Sequence, residues 1–188
     1  MRDAGREGGQ RDGDRGSDPE SACHERWNAQ YAARALPPVE SHALMAWKSL
    51  DPKSAKKLLD GGEGWIYLDV RTEPEFRASH PTGAWNVPVM MRDPMGRGSP
   101  NAEFVAVVKK HFPPSTRFVV GCASGVRSMR ACDLLEAAGY AELVNVSSGF
   151  QGRMDEAGNV EPGWQACGLP SESAGPTERT YEKLRAKA

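Results

Sequence analysis

Cys122 is the side chain in this sequence best placed to do chemistry. It follows Phe118-Val119-Val120-Gly121, a short apolar run, and precedes Ala123-Ser124-Gly125-Val126-Arg127-Ser128, where small residues and an arginine give way to a helical pattern from Met129 to Ala138. That order predicts a strand, a tight loop and a helix. A cysteine at the strand end then faces the helix N-terminus, where backbone N–H groups and the helix dipole favour an anion. With Arg127 near, the thiol is expected to ionise below its free value of about 8.5. The alternative is a buried cysteine packed as a small hydrophobe.

The chain must be able to hold such a loop in place. Its 188 residues suit one domain with a real core. A net charge of −1 gives no reason to expect nucleic acid or an anionic membrane as partner. No apolar run approaches the roughly 20 residues needed to span a bilayer, and the N-terminus lacks the apolar stretch of a secretory signal. A cytoplasmic protein is the expectation. The cysteines (Cys23, Cys122, Cys132, Cys167) and histidines (His24, His42, His80, His111) form no CxxC or HxxxH pair, so neither a metal nor another cofactor is expected and the cysteines are read as thiols.

Residues 1–22 are rich in Gly, Arg and Asp and almost free of apolar side chains, which predicts a disordered tail. Residues 23–46 read as an N-terminal helical extension, with a short helix over 25–35 that places Trp27 and Tyr31 on one face. A globular pattern runs over 47–170. It opens with a short edge strand and a helix begun by Asp51-Pro52, carried through Leu58 and Leu59 and stopped at Gly61-Gly62. Trp65 to Val70 is a nearly continuous apolar strand of the kind buried on both faces. A short helix over 73–77 with Pro74 in its first turn, a turn at His80–Gly83 and a brief strand over 84–88 follow. Residues 90–99 read as a loop. Ser99-Pro100 or Asn101 then caps a helix whose inner face is Phe104, Val105, Val107, Val108 and Phe112.

Strand 117–120 feeds the cysteine loop. In the helix beyond it Met129, Cys132 and Leu135 form the inner stripe, with Leu134 and Ala138 beside it, and Gly139 follows the helix end. Leu143 to Val146 is read as the last strand, Ser148-Gly149-Phe150 as a turn, and 164–170 as the closing segment. Residues 171–188 are polar, with a short basic helix compatible with 178–187. Strands alternating with helices predict an α/β domain, three layers (α/β/α) around a mostly parallel central sheet.

Several stretches resemble the single-domain rhodanese (thiosulfate sulfurtransferase-like) family, in family order. Leu68-Asp69-Val70-Arg71 with Glu75-Phe76 is similar to its "LDVR…E-F" entry, and His80 to Pro88 to its "GHIPGAINVP" segment. Cys122 to Ser128 resembles its "CxxGxRS" active loop, Ser148 to Gly152 its "GGFxGW" turn, and Gly163-Trp164 with Gly168-Leu169-Pro170 its exit. The departures are Ser79 and Ser148 in place of glycines and Arg153 after Gly152; none lies in the cysteine loop. The Met90–Ser99 stretch looks like a variant of plant-type members.

The resemblance implies a rhodanese-like fold and a sulfurtransferase. Cys122 would take sulfane sulfur from thiosulfate or a related anionic donor as a persulfide. A thiophilic acceptor, cyanide or a thiol, would then remove it; a protein acceptor is compatible with the same chemistry. Loop N–H groups from Ala123, Ser124, Gly125, Val126, Arg127 and Ser128 would stabilise the outer sulfur. Arg127 is read as the donor-anion contact or as a loop closure through backbone carbonyls, with a solvated arginine at the helix start as the alternative. Ser128 either caps the helix alone or also donates to the sulfur.

Asp69 and Arg71 end a strand beside the active one. They either face the site or pair with each other to fix the turn beneath it. Cys132 reads as core, His80 as bonding a turn, Cys167 as incidental or as a resolving thiol, and Arg92 and Arg97 as solvated charges or anion attractors. Two other functions share the fold: a cysteine phosphatase or arsenate reductase, and a non-enzymatic persulfide carrier or interaction module. Loop length separates the first. Four residues lie between Cys122 and Arg127, where the phosphatase relatives have five, and the smaller ring suits one sulfur atom.

Overall fold

The computed structural model describes residues 47–155, 157–173 and 177–187; the tail expected over 1–22 and the helix expected over 25–35 lie outside them. In chain order the first elements are β1 (Lys48–Leu50), α1 (Pro52–Asp60), β2 (Trp65–Asp69), α2 (Glu73–Ala78), β3 (His80–Pro81) and β4 (Trp85–Asn86). Then come β5 (Met90–Arg92), β6 (Gly98–Pro100), α3 (Phe104–His111), β7 (Arg117–Gly121), α4 (Val126–Ala137) and β8 (Leu143–Val146). The chain ends with β9 (Gly152–Met154), β10 (Val160–Pro162), β11 (Ser171–Glu172) and α5 (Tyr181–Ala186).

The central sheet has the order β1-β8-β7-β2-β4, and each of its pairings is parallel. Side chains along a strand alternate between faces, and here both faces are buried. Ile66 and Leu68 of β2 and Phe118 and Val120 of β7 pack with Phe104, Val107 and Val108 of α3 and Ala131, Cys132 and Leu135 of α4. Trp65, Tyr67, Val119 and Val146 face the other way, toward Ala55 and Leu59 of α1, Phe76 of α2, Phe150 and Trp164. Helices therefore cover both sides of a parallel sheet, as the alternation of elements predicted. Truncating a buried anchor such as Leu68 to alanine would cost about 2–5 kcal/mol.

Helix α1 starts as its sequence dictates. Asp51 Oδ1 accepts the N–H groups of Lys53 and Ser54 at 2.9 and 3.1 Å, with Pro52 in the first turn. Helix α3 begins at Phe104; the side chain of Asn101 accepts the Glu103 N–H at 3.0 Å, whereas Ser99 and Pro100 belong to β6.

Four segments differ from the sequence expectation. The stretch read as a loop over 90–99 is the hairpin β5–β6, closed by Asp93. Its carboxylate accepts the N–H groups of Met95 and Arg97, each at 2.9 Å, and the Arg97 Nε–H at 2.7 Å. Strand β8 is not the last: β9 and β10 form a second hairpin, closed in the same manner by Asp155, which accepts the Asn159 N–H at 2.8 Å. A carboxylate-clamped turn needs no apolar alternation in its arms, so neither hairpin shows in hydropathy. His80-Pro81, read as part of a turn, pairs antiparallel with Ser171-Glu172.

The segment after Pro170, expected to be a polar tail, does contain a short helix, and that helix docks. Tyr181 and Leu184 of α5 are buried in the α3 side of the core, His111 Nε2 lies 2.8 Å from the Leu184 carbonyl, and Arg77 bonds Glu182 at 2.8 Å. Two apolar residues in a charged stretch are too weak a period to read as an amphipathic face. Among the described residues no helix is long and apolar enough to cross a membrane.

Candidate functional site

The site lies at the carboxyl edge of the sheet, where β7 passes directly into Cys122. Register places Asp69 of β2 alongside Gly121, and the Val70 N–H donates to the Gly121 carbonyl at 2.9 Å. The Asp69–Arg71 strand end and the cysteine loop are thus neighbours.

Asp69 and Arg71 form a buried bracket. Arg71 Nε lies 3.0 and 3.1 Å from the two Asp69 oxygens and Nη2 lies 2.6 Å from Oδ2. The same Nη2 donates to the Ser79 carbonyl at 2.7 Å, and the guanidinium lies 4.2 Å from the centre of the Phe150 ring. Burial works against the Arg71 charge, but the Asp69 hydrogen bonds outweigh it and hold the guanidinium above its ordinary value. The pair therefore faces inward and fixes the turn.

Phe150 links this bracket to the loop. Its N–H donates to the Cys122 carbonyl at 2.7 Å, and the Gln151 N–H donates to the Ala123 carbonyl at 2.8 Å. Gly149 makes that approach possible. It has a φ of 63°, and a Cβ there would stand 2.6 Å from the Cys122 and Ala123 carbonyl oxygens. The loop carbonyls are engaged by the neighbouring turn, which leaves loop N–H groups for the sulfur. Gly125, with a φ of 93°, makes the reversal into α4; a Cβ there would collide with the Ser147 carbonyl.

Cys122 is 1 % exposed. Its Sγ accepts the Gly125 N–H at 3.2 Å and lies 3.4 Å from Ser128 Oγ. Ser128 Oγ also lies 2.9 Å from the Gly125 carbonyl, so its single proton serves one acceptor at a time. Ser128 does not cap α4: Gly125 occupies the N-cap, and among the described residues no side-chain hydrogen bond caps the helix. The first N–H groups of a helix have no intrahelical partner. Those of Val126, Arg127 and Ser128 therefore stand at the positive end of α4, and the Gly125 N–H reaches the sulfur. The side chains of Ala123 and Ser124 are partly buried in the loop, while Val126 is exposed.

Arg127 is not free. Its Nη1 and Nη2 donate to Glu75 Oε2 and Oε1 at 2.9 and 2.8 Å, a bidentate pair across 52 positions of sequence. Glu75 also accepts from the Thr72 N–H at 2.9 Å and the Thr72 hydroxyl at 2.6 Å. Burial raises the Glu75 carboxyl, but the Arg127 and Thr72 hydrogen bonds overcome this and bring it down to about 2. The hydrogen bonds that Arg127 donates to Glu75 in turn push its guanidinium above its ordinary value. None of the sequence readings of Arg127, as anion contact, carbonyl closure or solvated charge, includes this partner. Glu75 belongs to a Thr72-Pro-flanked capping box, a local signal that marks a helix start and says nothing of a distant arginine.

The remaining candidates separate from the sulfur. Cys132 is core, and burial pushes its thiol up. Cys167 borders a different depression, with Asp51, Ser147 and Glu161. His80 stacks on Phe76 with Nδ1 2.7 Å from the Phe76 carbonyl, so it bonds the end of α2 rather than the turn expected of it. Arg97 is bound to Asp93. Arg92 instead reaches a depression of about 340 Å³ beside Val126 and Arg127.

The sequence model of the rhodanese-like domain matches residues 51–155, which is more than half of the chain. The chain belongs to the rhodanese-like domain family. Within it, the chain is similar to Thiosulfate sulfurtransferase 18 of Arabidopsis thaliana, 41% identical over 111 residues that cover 58% of this chain and 79% of that one. It is also 37% identical to Thiosulfate sulfurtransferase 16, chloroplastic, of the same plant, over 58% of this chain and 82% of the relative. Among solved structures, that of Rv0390 from M. tuberculosis superposes with a TM-score of 0.56 at 28% identity, covering 68% of this chain and 98% of the other. These relatives support a sulfurtransferase-family function for this rhodanese-like chain, and the expected fold class and family both stand.

Proposed function

We propose that this rhodanese-like protein is a sulfurtransferase that carries sulfane sulfur on Cys122. The observation that supports it most is the enclosure of Cys122 Sγ by the Gly125 N–H and Ser128 Oγ at the N-terminus of α4. The Cys122 thiolate attacks the outer sulfur of thiosulfate. The S–S bond of the donor breaks with its electron pair leaving on sulfite, and a Cys122 persulfide anion remains. A thiophile then attacks the outer persulfide sulfur and regenerates the Cys122 thiolate: cyanide leaves as thiocyanate, a thiolate as its own persulfide.

Each half transfers one sulfur and no proton beyond those that ionise the thiols. The chain's task is to stabilise the outer, charged sulfur. Preorganised N–H donors suit it because they need not reorient as charge moves. Two observations favour a sulfur atom over a tetrahedral oxyanion. The loop has only four residues between Cys122 and Arg127, and the Arg127 guanidinium is engaged in a bidentate pair with Glu75. The full chain supplied with thiosulfate and cyanide should form thiocyanate, and Cys122→Ser should abolish this. Equal turnover by the Cys122→Ser variant would refute the assignment.

A further inference from the structure

His80 is fully buried where β3 pairs with the C-terminal strand β11, and its two ring nitrogens face different oxygens. Nδ1 lies 2.7 Å from the Phe76 carbonyl of α2. A carbonyl only accepts, so Nδ1 carries a proton whatever the charge of the ring. Nε2 therefore carries one only in the imidazolium. It lies 3.3 Å from Glu172 Oε1 on β11, yet it makes no hydrogen bond among the described residues. In the neutral ring, a lone pair on Nε2 stands beside those of a carboxylate; in the imidazolium an N–H replaces it. The same Glu172 oxygen accepts the Gly83 N–H at 3.0 Å. The other charged groups on the surrounding elements are engaged elsewhere. Arg71 is held by Asp69 and the Ser79 carbonyl, Glu75 by Arg127, and Glu73 and Glu182 by Arg77. Arg179 lies over Trp85, with Nη1 close to Gly83.

We propose that His80 and Glu172 form a proton-operated latch that fastens β11 to β3. When Nε2 takes a proton from solvent, the contact between two acceptors becomes a charge-assisted pair in a low-dielectric setting. The bound proton favours the fastened strand. Fastening is therefore complete below the titration of His80 and is lost as pH rises through it. Strand β11 has two residues, so few ladder hydrogen bonds compete with this side-chain contact. The ring also stacks on Phe76, with centres 3.7 Å apart. The latch thus joins the C-terminal strand to α2, the helix whose Glu75 holds Arg127. It does not depend on the chemistry of Cys122.

The test is amide hydrogen exchange of the full chain across the range in which histidine titrates, from about pH 5 to about pH 8. Rates are corrected for intrinsic exchange and read on peptides covering 80–83 and 169–173. Protection of both peptides in wild type should fall about tenfold from the lower pH to the upper. Glu172→Gln keeps an oxygen for the Gly83 N–H but no charge for His80, and its protection should change less than about twofold. In parallel, nitrogen NMR of the imidazole should show His80 as the Nδ1–H tautomer at the upper pH and doubly protonated at the lower. Wild-type protection that is the same at both ends, or that falls equally in Glu172→Gln, overturns the latch. An Nε2–H tautomer at the upper pH overturns it as well.

Discussion

Arg127 and Glu75 meet through two parallel hydrogen bonds of 2.9 and 2.8 Å, and this contact ties the cysteine loop to the first turn of α2. The arginine stands at the second position of α4, where a positive charge opposes the helix dipole; Glu75 offsets that cost. The carboxylate serves two ends at once, since it also closes the Thr72 capping box. Loop position and the α2 start are therefore coupled through one side chain.

That coupling predicts a pH dependence. The Glu75 carboxyl is held at about 2 against an ordinary 4.5, so its contribution is complete above pH 4.5 and is lost as pH falls from there toward 2. Because the side chain is partly solvated, the contribution is on the order of 1–2 kcal/mol. Thermal unfolding of wild type should weaken across that window, while Glu75→Gln should start less stable at pH 7 and lose less. Parallel Tm profiles for the two proteins would contradict the coupling.

Asp69 and Arg71 support the loop from below and are fully desolvated. Removing one partner strands the other charge, so Asp69→Ala should destabilise the fold by about 3–5 kcal/mol. Urea unfolding monitored by tryptophan fluorescence would measure it; a loss below about 1 kcal/mol would show that the bracket matters little. The sequence left this pair between facing the site and fixing the turn, and its stacking on Phe150 accounts for the second.

Much of this site is legible in the sequence. Cys122 after a β-branched run, small residues and a helix pattern specify strand, loop and helix by local chemistry alone. Asp51-Pro52 and Gly139 mark helix ends for the same reason. What escaped depends on residues far apart in the chain. Glu75 pairs with Arg127, Glu172 accepts the Gly83 N–H at 3.0 Å, and Tyr181 and Leu184 fill the core from a segment that reads as polar. The two hairpins escaped for a different reason: aspartate side chains set their turns, and their exposed arms carry no period-two pattern. Ser128 looked like a cap by residue type, yet Gly125 holds that position by its positive φ.

Gly149 tests the loop geometry from the other side. A Cβ added at its φ of 63° would press on two loop carbonyls, so Gly149→Ala should cost about 2 kcal/mol or more. Thiocyanate formation should fall further than the unfolded fraction explains, because the Phe150 and Gln151 N–H groups lose their loop partners. Activity that merely follows the folded fraction would separate Gly149 from the sulfur site.

Ser128→Ala removes the hydroxyl that lies 3.4 Å from Cys122 Sγ. Its loss should slow persulfide formation roughly tenfold, the worth of one hydrogen bond near 1.4 kcal/mol, with little change in Tm. Stopped-flow measurement of sulfite release reads this step directly. An unaltered rate would assign Ser128 to its Gly125 carbonyl contact alone.

The most direct measurement is intact-mass analysis of the full chain after exposure to thiosulfate and removal of excess donor. The account predicts a gain of one sulfur atom, mapped by fragmentation to Cys122, reversed by cyanide with release of thiocyanate, and absent from Cys122→Ser. A chain that gains no sulfur at Cys122 while hydrolysing an aryl phosphate or reducing arsenate would contradict it.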